Sequence, residues 1–328
     1  MVQKEKVEHI ASILNIAATT VKRFFYSPEK LHSDTFREIM SVLAEYYPED
    51  LRTIVKSDYR DILFVLRDHN LMIVSDIIKY LQKITLKYNI SIRLYENTEN
   101  IPLNILIHKN KKKWNDVRGI ISLSTETEEI TNDFLIPTVF LNMPQQEYGL
   151  NIDVNDYLGG KLAIEHLYEN DWKNPAFVGH YELNGDIVER YNGVKTACND
   201  LNIECKLFTT YNFSMEEAYN TTKQILKDKT IDSIFYFCDQ MAIGGIKAIN
   251  EYGYEMGKDI GIIGFDNLEI SEFLGLSSMD QKLYEKILYS VEYILFGNGK
   301  PFIEKSPVIS YTPEVAARKS SLKRKANL

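Results

Sequence analysis

The chain is poor in the residues that build metal centres and disulfide frameworks. Its 328 residues include three cysteines and six histidines. Cys198, Cys205 and Cys238 lack the spacing of a metal site and are too few for a disulfide scaffold. The histidines are scattered, so neither a metal nor any other cofactor is expected. No run of about 18 apolar residues is present, which excludes a membrane-spanning helix. The opening "MVQKEKVEHI" carries charges where a signal peptide has an apolar stretch, so the expected location is the cytoplasm, in a reducing compartment. Catalytic signatures are missing too. There is no G-x-x-x-x-G-K-[ST] loop, since "FGNGKP" (296–301) lacks both the spacing and the hydroxyl. There is no G-x-S-x-G elbow and no H-E-x-x-H pair, and "VGHYELNG" is a poor dinucleotide fingerprint. The chain shows neither repeats nor low-complexity tracts. These absences point away from an enzyme.

What is present is 45% apolar residues, enough for a large core, and a net charge of -8 that is unevenly spread. Residues 1–57 hold eight Lys and Arg against eight Asp and Glu, and the end from Arg318 holds five basic residues, which leaves -13 on residues 58–317. Such a body repels nucleic acid, so any contact with DNA must come from the N-terminal segment.

That segment reads as three short helices. Val7, Ile10, Ala11 and Leu14 recur at helical spacing, "NIAAT" interrupts, and Val21, Phe24 and Phe25 resume an apolar face. Ser33 can cap a third helix, striped by Phe36, Ile39, Met40 and Leu43 and stopped before Pro48. Three helices in under 50 residues suit a helix-turn-helix unit or a helical bundle docked on the rest of the chain. The second helix would turn Thr19, Thr20, Lys22 and Arg23 outward, where hydroxyls and amides hold phosphates and Arg23 reaches a base edge. Glu29 and Glu38 would face away.

After Ser57 the pattern changes. "DILFVL" (61–66), "ISIRLY" (90–95), "VRGIISLS" (117–124), "PTVFLN" (137–142), "NPAFVGH" (174–180), "DSIFYFC" (232–238) and "IGIIGF" (260–265) are short apolar runs, with helical stretches between most of them. One such stretch is marked by Ile77, Ile78, Leu81 and Ile84. About ten strands alternating with helices predict an α/β fold of two parallel, doubly wound sheets. Ligands in such folds bind at the carboxyl ends of strands, which singles out Asp68–Asn70, Ser124, Asn142, Cys238 and Asp266. Polar groups without a nucleophile–base set suit binding better than chemistry.

In "VNDYLGGKLAIEHL" (154–167), "VERYNGVKTA" (188–197), "CDQMAIGGIKAI" (238–249), "DIGIIGFDN" (259–267) and "EVAARKSS" (314–321), in that order and spacing, the sequence resembles the LacI/GalR family of transcription regulators. The resemblance covers nearly the whole chain and is strongest in its second half. It implies a helix-turn-helix headpiece and hinge at 1–57 and a two-lobed, periplasmic-binding-protein-like effector domain at 58–320. The first lobe would comprise 58–154 and 283–311, the second 155–282 and 312–320, with a basic tail at 321–328. Arg190 matches an arginine that contacts the effector, its planar fork suited to sugar hydroxyls or a purine edge; a surface salt bridge is its other reading. Asp266 matches an effector-binding acid, with a helix N-cap as its alternative. Phe213 matches an aromatic against the ligand ring, or is ordinary core packing. Cys238 stands where the family usually has Asn, beside Asp239, which can be structural; a thiol is a poor donor, so the pocket departs from common sugar specificities. Asn70 matches the polar turn after the first strand, where Leu71 and Met72 replace a Pro-Phe pair, and Gln281 lies near the crossover of the lobes.

In the headpiece, Asn15 replaces a Gly, and Asn tolerates the positive φ of such a turn. Ala18 and Thr19 match base-reading positions, with Ala18 offering a methyl contact to thymine. Thr20 and Lys22 match phosphate-side positions, and Arg23 a family arginine. In "YPEDLRTIVKSDY", Val55 lies near the family's minor-groove leucine, with Leu51 as a second candidate, while Glu49 and Asp50 would face phosphates. The function implied is a homodimeric repressor of a double-stranded DNA operator, controlled by a small polar effector, sugar or nucleoside-like, bound between the lobes. The acidic hinge and missing Gly motivate an alternative: an effector sensor with a degenerate headpiece, acting through a protein partner.

Overall fold

The computed structural model describes residues 2–26, 33–47, 61–66, 72–88, 90–99, 101–114, 117–123, 136–146, 149–183, 185–296 and 307–323. Glu29, Glu49, Asp50, Leu51, Val55, Asp68, Asn70, Leu71, Ser124 and the tail beyond Lys323 lie outside the described residues.

The chain opens with α1 (Val2–Leu14), α2 (Ala18–Tyr26) and α3 (Ser33–Tyr46). Their apolar stripes meet in a small core of Val7, Ile10, Ala11, Val21, Phe24, Ile39, Val42 and Leu43. The α1–α2 turn passes through Asn15 at φ 51°. Ile16 N–H donates to the Ala11 carbonyl at 3.0 Å, closing α1. Asparagine accepts this left-handed conformation more readily than most residues, which explains how the turn forms without glycine.

Beyond these helices, strands and helices alternate, and the chain divides into two units. One comprises residues 1–68, 78–151 and 287–308; the other 69–77, 152–286 and 309–328. In the first, β1 (Ile62–Leu66), β2 (Ile92–Glu96), β3 (Gly119–Leu123), β4 (Thr138–Leu141) and β5 (Leu150–Val154) form a sheet with β11 (Val308–Tyr311), in the order β11-β5-β4-β3-β1-β2. The helices interspersed with them are α5 (Leu103–Asn110) and the greater part of α4 (Ile73–Tyr88) and α11 (Leu283–Phe296), whose first residues, through Ile77 and Lys286, belong to the second unit. β1 pairs in parallel with β2 and β3 and is buried along its whole length. Burial on both faces is why this strand reads as an unbroken apolar run.

The second unit repeats the plan. Its sheet holds β6 (Pro175–His180), β7 (Lys206–Thr210), β8 (Ser233–Tyr236), β9 (Gly261–Phe265), β10 (Ser277–Asp280) and β12 (Glu314–Ala316), in the order β12-β10-β9-β8-β6-β7. The β6–β7, β6–β8, β8–β9 and β9–β10 pairs are parallel. The edge strand β12 departs from the all-parallel expectation by pairing antiparallel to β10. Around the sheet run α6 (Asp156–Glu169), α7 (Gly185–Leu201), α8 (Met215–Ile225), α9 (Asp239–Glu251) and α10 (Glu269–Leu274).

All seven apolar runs contain a strand; β5, β7, β10, β11 and β12 complete the sheets. The "EVAARKSS" segment ties the edge down with hydroxyls. Ser320 Oγ accepts from Ser277 N–H at 2.7 Å and donates to the Ile262 carbonyl at 2.8 Å, while Trp172 Nε1 donates to the Ser321 carbonyl at 2.7 Å. Among the described residues, no helix is long and apolar enough to cross a membrane.

Candidate effector site

In the second sheet the chain goes from β6 outward to β7, then returns to lay β8 on the other side of β6. Ligands in such sheets sit outside the carboxyl ends of the strands at this reversal. His180 ends β6, Phe237 and Cys238 follow β8, and Asp266 follows β9. Gln281 follows β10, the parallel neighbour of β9.

Arg190 reaches this end from α7. It is buried, so the surface salt-bridge reading is corrected: its partner is the equally buried Asp156, the first residue of α6. Nε donates to Asp156 Oδ1 at 3.0 Å, one terminal nitrogen donates to the same oxygen, and the other donates to the Phe237 carbonyl. The guanidinium carbon lies 3.3 Å from the Phe265 ring centre and 4.1 Å from that of Phe237. Three of its five N–H groups are thus engaged among the described residues, and the aromatic faces fix the plane of the fork.

Asp266 has φ 115°, a region that side-chain-bearing residues rarely enter. Its N–H donates to the Met279 carbonyl at 2.9 Å, and its Oδ1 accepts from Gln281 Nε2 at 2.7 Å. It caps no helix: Leu268 occupies the position before α10, so the N-cap reading is corrected. Gln281 is buried and relays to Lys286, whose Nζ donates to Gln281 Oε1 at 2.8 Å. Lys286 has no exposed surface. Burial pulls its ammonium down to about 8, against the opposing charges of Asp153, Asp156 and Asp266. Burial pushes Asp153 up to about 6 and holds Asp266 well above the usual carboxylate range, where the neighbouring Asp239 charge adds to the effect.

Asp239 is structural. It is fully buried, and it accepts from Leu268 N–H at 2.9 Å, Ser271 Oγ at 2.7 Å and Ser278 Oγ at 2.7 Å. Cys238 precedes α9 without a side-chain cap bond, and burial raises its thiol, so it supplies no thiolate nucleophile. Phe213 is half-buried, packed against the core while stacked on Phe237 at 5.1 Å between centroids. Asn142 belongs to the first unit, after β4, at φ 48°. Among the described residues no cluster of three His, Cys, Asp or Glu could hold a metal ion.

Arg190, Phe213, Cys238, Asp266 and Gln281 thus all lie in the second unit. Lys286, Asp153, Asp156, Phe237, Phe265 and His180 were not anticipated. Lys286 left one readable signal: it interrupts the stripe Leu283, Ile287, Val291 and Ile294 of α11, all of them buried. In α2, Thr19, Lys22 and Arg23 are exposed, Val21 and Phe24 are buried, and Ala18 and Thr20 are half-buried, so Thr20 is less outward than expected.

Residues 164–320 match the periplasmic binding protein-like domain. The chain is 24% identical over 331 residues to the HTH-type transcriptional repressor PurR of Mannheimia succiniciproducens, covering 96% of this chain and 98% of that one. Over its length the chain is thus similar to PurR-type repressors, and over its second half to the periplasmic binding protein-like domain. Among solved structures, the LacI family transcriptional regulator from Enterococcus faecium with bound ribose is 20% identical at a TM-score of 0.65, covering 81% of this chain and all of that one. The Lac repressor bound to ONPG in its repressed state is 18% identical at 0.64, covering 95% of this chain and 98% of that one. These likenesses show that the chain shares the fold of those two structures.

Proposed function

We propose that this chain is a member of the LacI/GalR family and a homodimeric, DNA-binding repressor whose operator affinity is set by a small polar effector, a sugar in the first instance. Residues 1–57 form the headpiece and hinge, and residues 58–320 the sensor. The observation that carries this reading is the sidedness of α2, which buries Val21 and Phe24 and leaves Thr19, Lys22 and Arg23 exposed. A helix so arranged offers hydroxyl, ammonium and guanidinium donors to phosphates and base edges. The relatives' names support a repressor, and ribose in one neighbouring structure supports a carbohydrate.

The effector is held at the strand ends of the second unit by Arg190 and Asp266, with Phe213 against its ring. By linkage, an effector that weakens DNA binding is itself bound more weakly by the DNA complex, by the same factor. Fluorescence anisotropy against fragments from upstream of the chain's own gene, then against a random-sequence library, tests the proposal. Saturable, selective binding that Arg23→Ala abolishes is the expected result. No selective binding in either set removes the DNA-reading function and leaves a sensor that acts through a protein partner.

A further inference from the structure

Past Phe213, the aromatic contacts do not stop. The His180 ring lies 5.2 Å from Phe213 and 4.7 Å from Tyr181, and Tyr181 lies 5.3 Å from Tyr211. Inward, Phe213 stacks on Phe237, which lies beneath Arg190. A ladder of rings therefore runs from the buried guanidinium to two tyrosines that are 50% and 76% exposed. Ordinary core packing explains its inner rungs but not its outer ones.

The backbone that carries the outer rungs is held in place. Tyr181 N–H donates to the Thr210 carbonyl at 3.0 Å, carrying the β6–β7 ladder one residue past the strands. A His180 ring nitrogen lies 2.9 Å from the Tyr211 carbonyl oxygen, and Tyr211 N–H donates to Glu217 at 3.2 Å. The Tyr181 hydroxyl donates to Glu182 at 2.7 Å. Two adjacent rings on a pinned backbone, with a phenol and a carboxylate at their rim, fit a sugar, whose C–H face stacks while its hydroxyls bond at the edge. Two side chains fall far short of the roughly 800 Å² per partner of a stable protein interface.

We propose that Tyr181 and Tyr211 form a second subsite, and that the effector is a disaccharide or longer glycoside with one ring at Arg190 and the next on this platform. The proposal rests on the reading of Arg190 and Asp266 as effector-binding. It is tested by calorimetric titration of the full chain with glucose, galactose and mannose, and with maltose, cellobiose, trehalose, lactose and mannobiose. One disaccharide should bind at least tenfold more tightly than its own monosaccharide. Tyr181→Ala and Tyr211→Ala should each erase about tenfold of that advantage and leave the monosaccharide affinity unchanged, and Tyr211→Phe should restore it.

A monosaccharide that binds, and is lost in Arg190→Lys, with no disaccharide binding more tightly, overturns the subsite while the effector-site reading stands. An advantage that survives both tyrosine variants overturns it as well. So does a change in the sedimentation mass of the full chain in Tyr181→Ala or Tyr211→Ala, because the platform then contacts a second copy. Failure of every sugar to bind removes the subsite and the carbohydrate reading together.

Discussion

At the scale of single residues, the site is a set of charges kept out of water by a few specific partners. Arg190 and Asp156 illustrate the cost of disturbing one. Arg190→Ala leaves a buried carboxylate without its cation, and breaking such a pair costs about 3–5 kcal/mol. A fall of that size in urea-unfolding stability is expected, together with loss of effector binding. Titration gives a second test with a definite sign. The Lys286 ammonium stands near 8 in the fold against 10.5 when free, so between those values the folded chain binds fewer protons than the unfolded one. Stability contributed at this residue therefore rises with pH from about 8 to 10.5. Asp153 runs the other way: its carboxyl stands near 6 against 3.8, the fold holds the extra proton, and stability falls as pH rises through that window. In Lys286→Met the rise above pH 8 should vanish from denaturation curves measured across pH. The Asp153 window should move upward, because the cation that opposed its protonation is gone. A variant whose pH profile parallels the parent's above pH 8 would show that Lys286 keeps its ordinary affinity for protons.

At the scale of elements, α6 and α7 cross so closely that glycine is required on both sides. A methyl at Gly160 would lie 1.9 Å from the Arg190 carbonyl oxygen, and one at Gly193 would lie 1.9 Å from that of Tyr157. Neither obstacle is a side chain that can swing aside; each is backbone of the facing helix. Gly160→Ala and Gly193→Ala should therefore push the helices apart, with a stability loss of about 1–3 kcal/mol for such overpacking. Because the residue met at Gly160 is Arg190 itself, Gly160→Ala should also weaken effector binding without touching a ligand-facing side chain. Calorimetry of both variants checks this.

Elements also decide what could be read in advance. Strands buried on both faces, such as β1 and β9, are apolar throughout and stood out. β7 at the sheet edge is exposed or half-buried at all but its last residue, and β10 is buried at its first three residues yet reads "SSMD", because Asp239, Ser320 and the Arg318 carbonyl satisfy its hydroxyls and backbone. Hydropathy cannot see a strand whose polar groups are paired off by residues up to 44 positions away. The same holds for the site. Arg190 and Asp266 came with recognisable motifs, whereas Lys286 and Asp156 gain their meaning only from neighbours that the fold supplies.

At the scale of the whole molecule, the charge distribution limits how the proposed repressor can hold DNA. Residues 58–317 carry -13, and residues 1–57 carry none. The headpiece must therefore bind through segregated rather than excess charge, and α2 supplies two exposed cations, Lys22 and Arg23. Two headpieces on one operator then neutralise about four phosphates, and each contributes a slope of about -0.9 in log affinity against log salt. The expected slope is about -3 to -4, shallow for a site-specific dimer, so fourfold more salt should weaken binding by roughly 10²-fold. Lys22→Ala removes one phosphate contact per headpiece, so it should flatten the slope by about two and weaken all sequences alike. Arg23→Ala should flatten the slope by the same amount and, because its guanidinium also reaches a base edge, narrow the gap between operator and random DNA. Anisotropy titrations from 50 to 200 mM salt separate the two roles. A slope steeper than about -6 would mean that cations outside α2 grip the backbone, and the basic residues from Arg318 onward would be the first to neutralise.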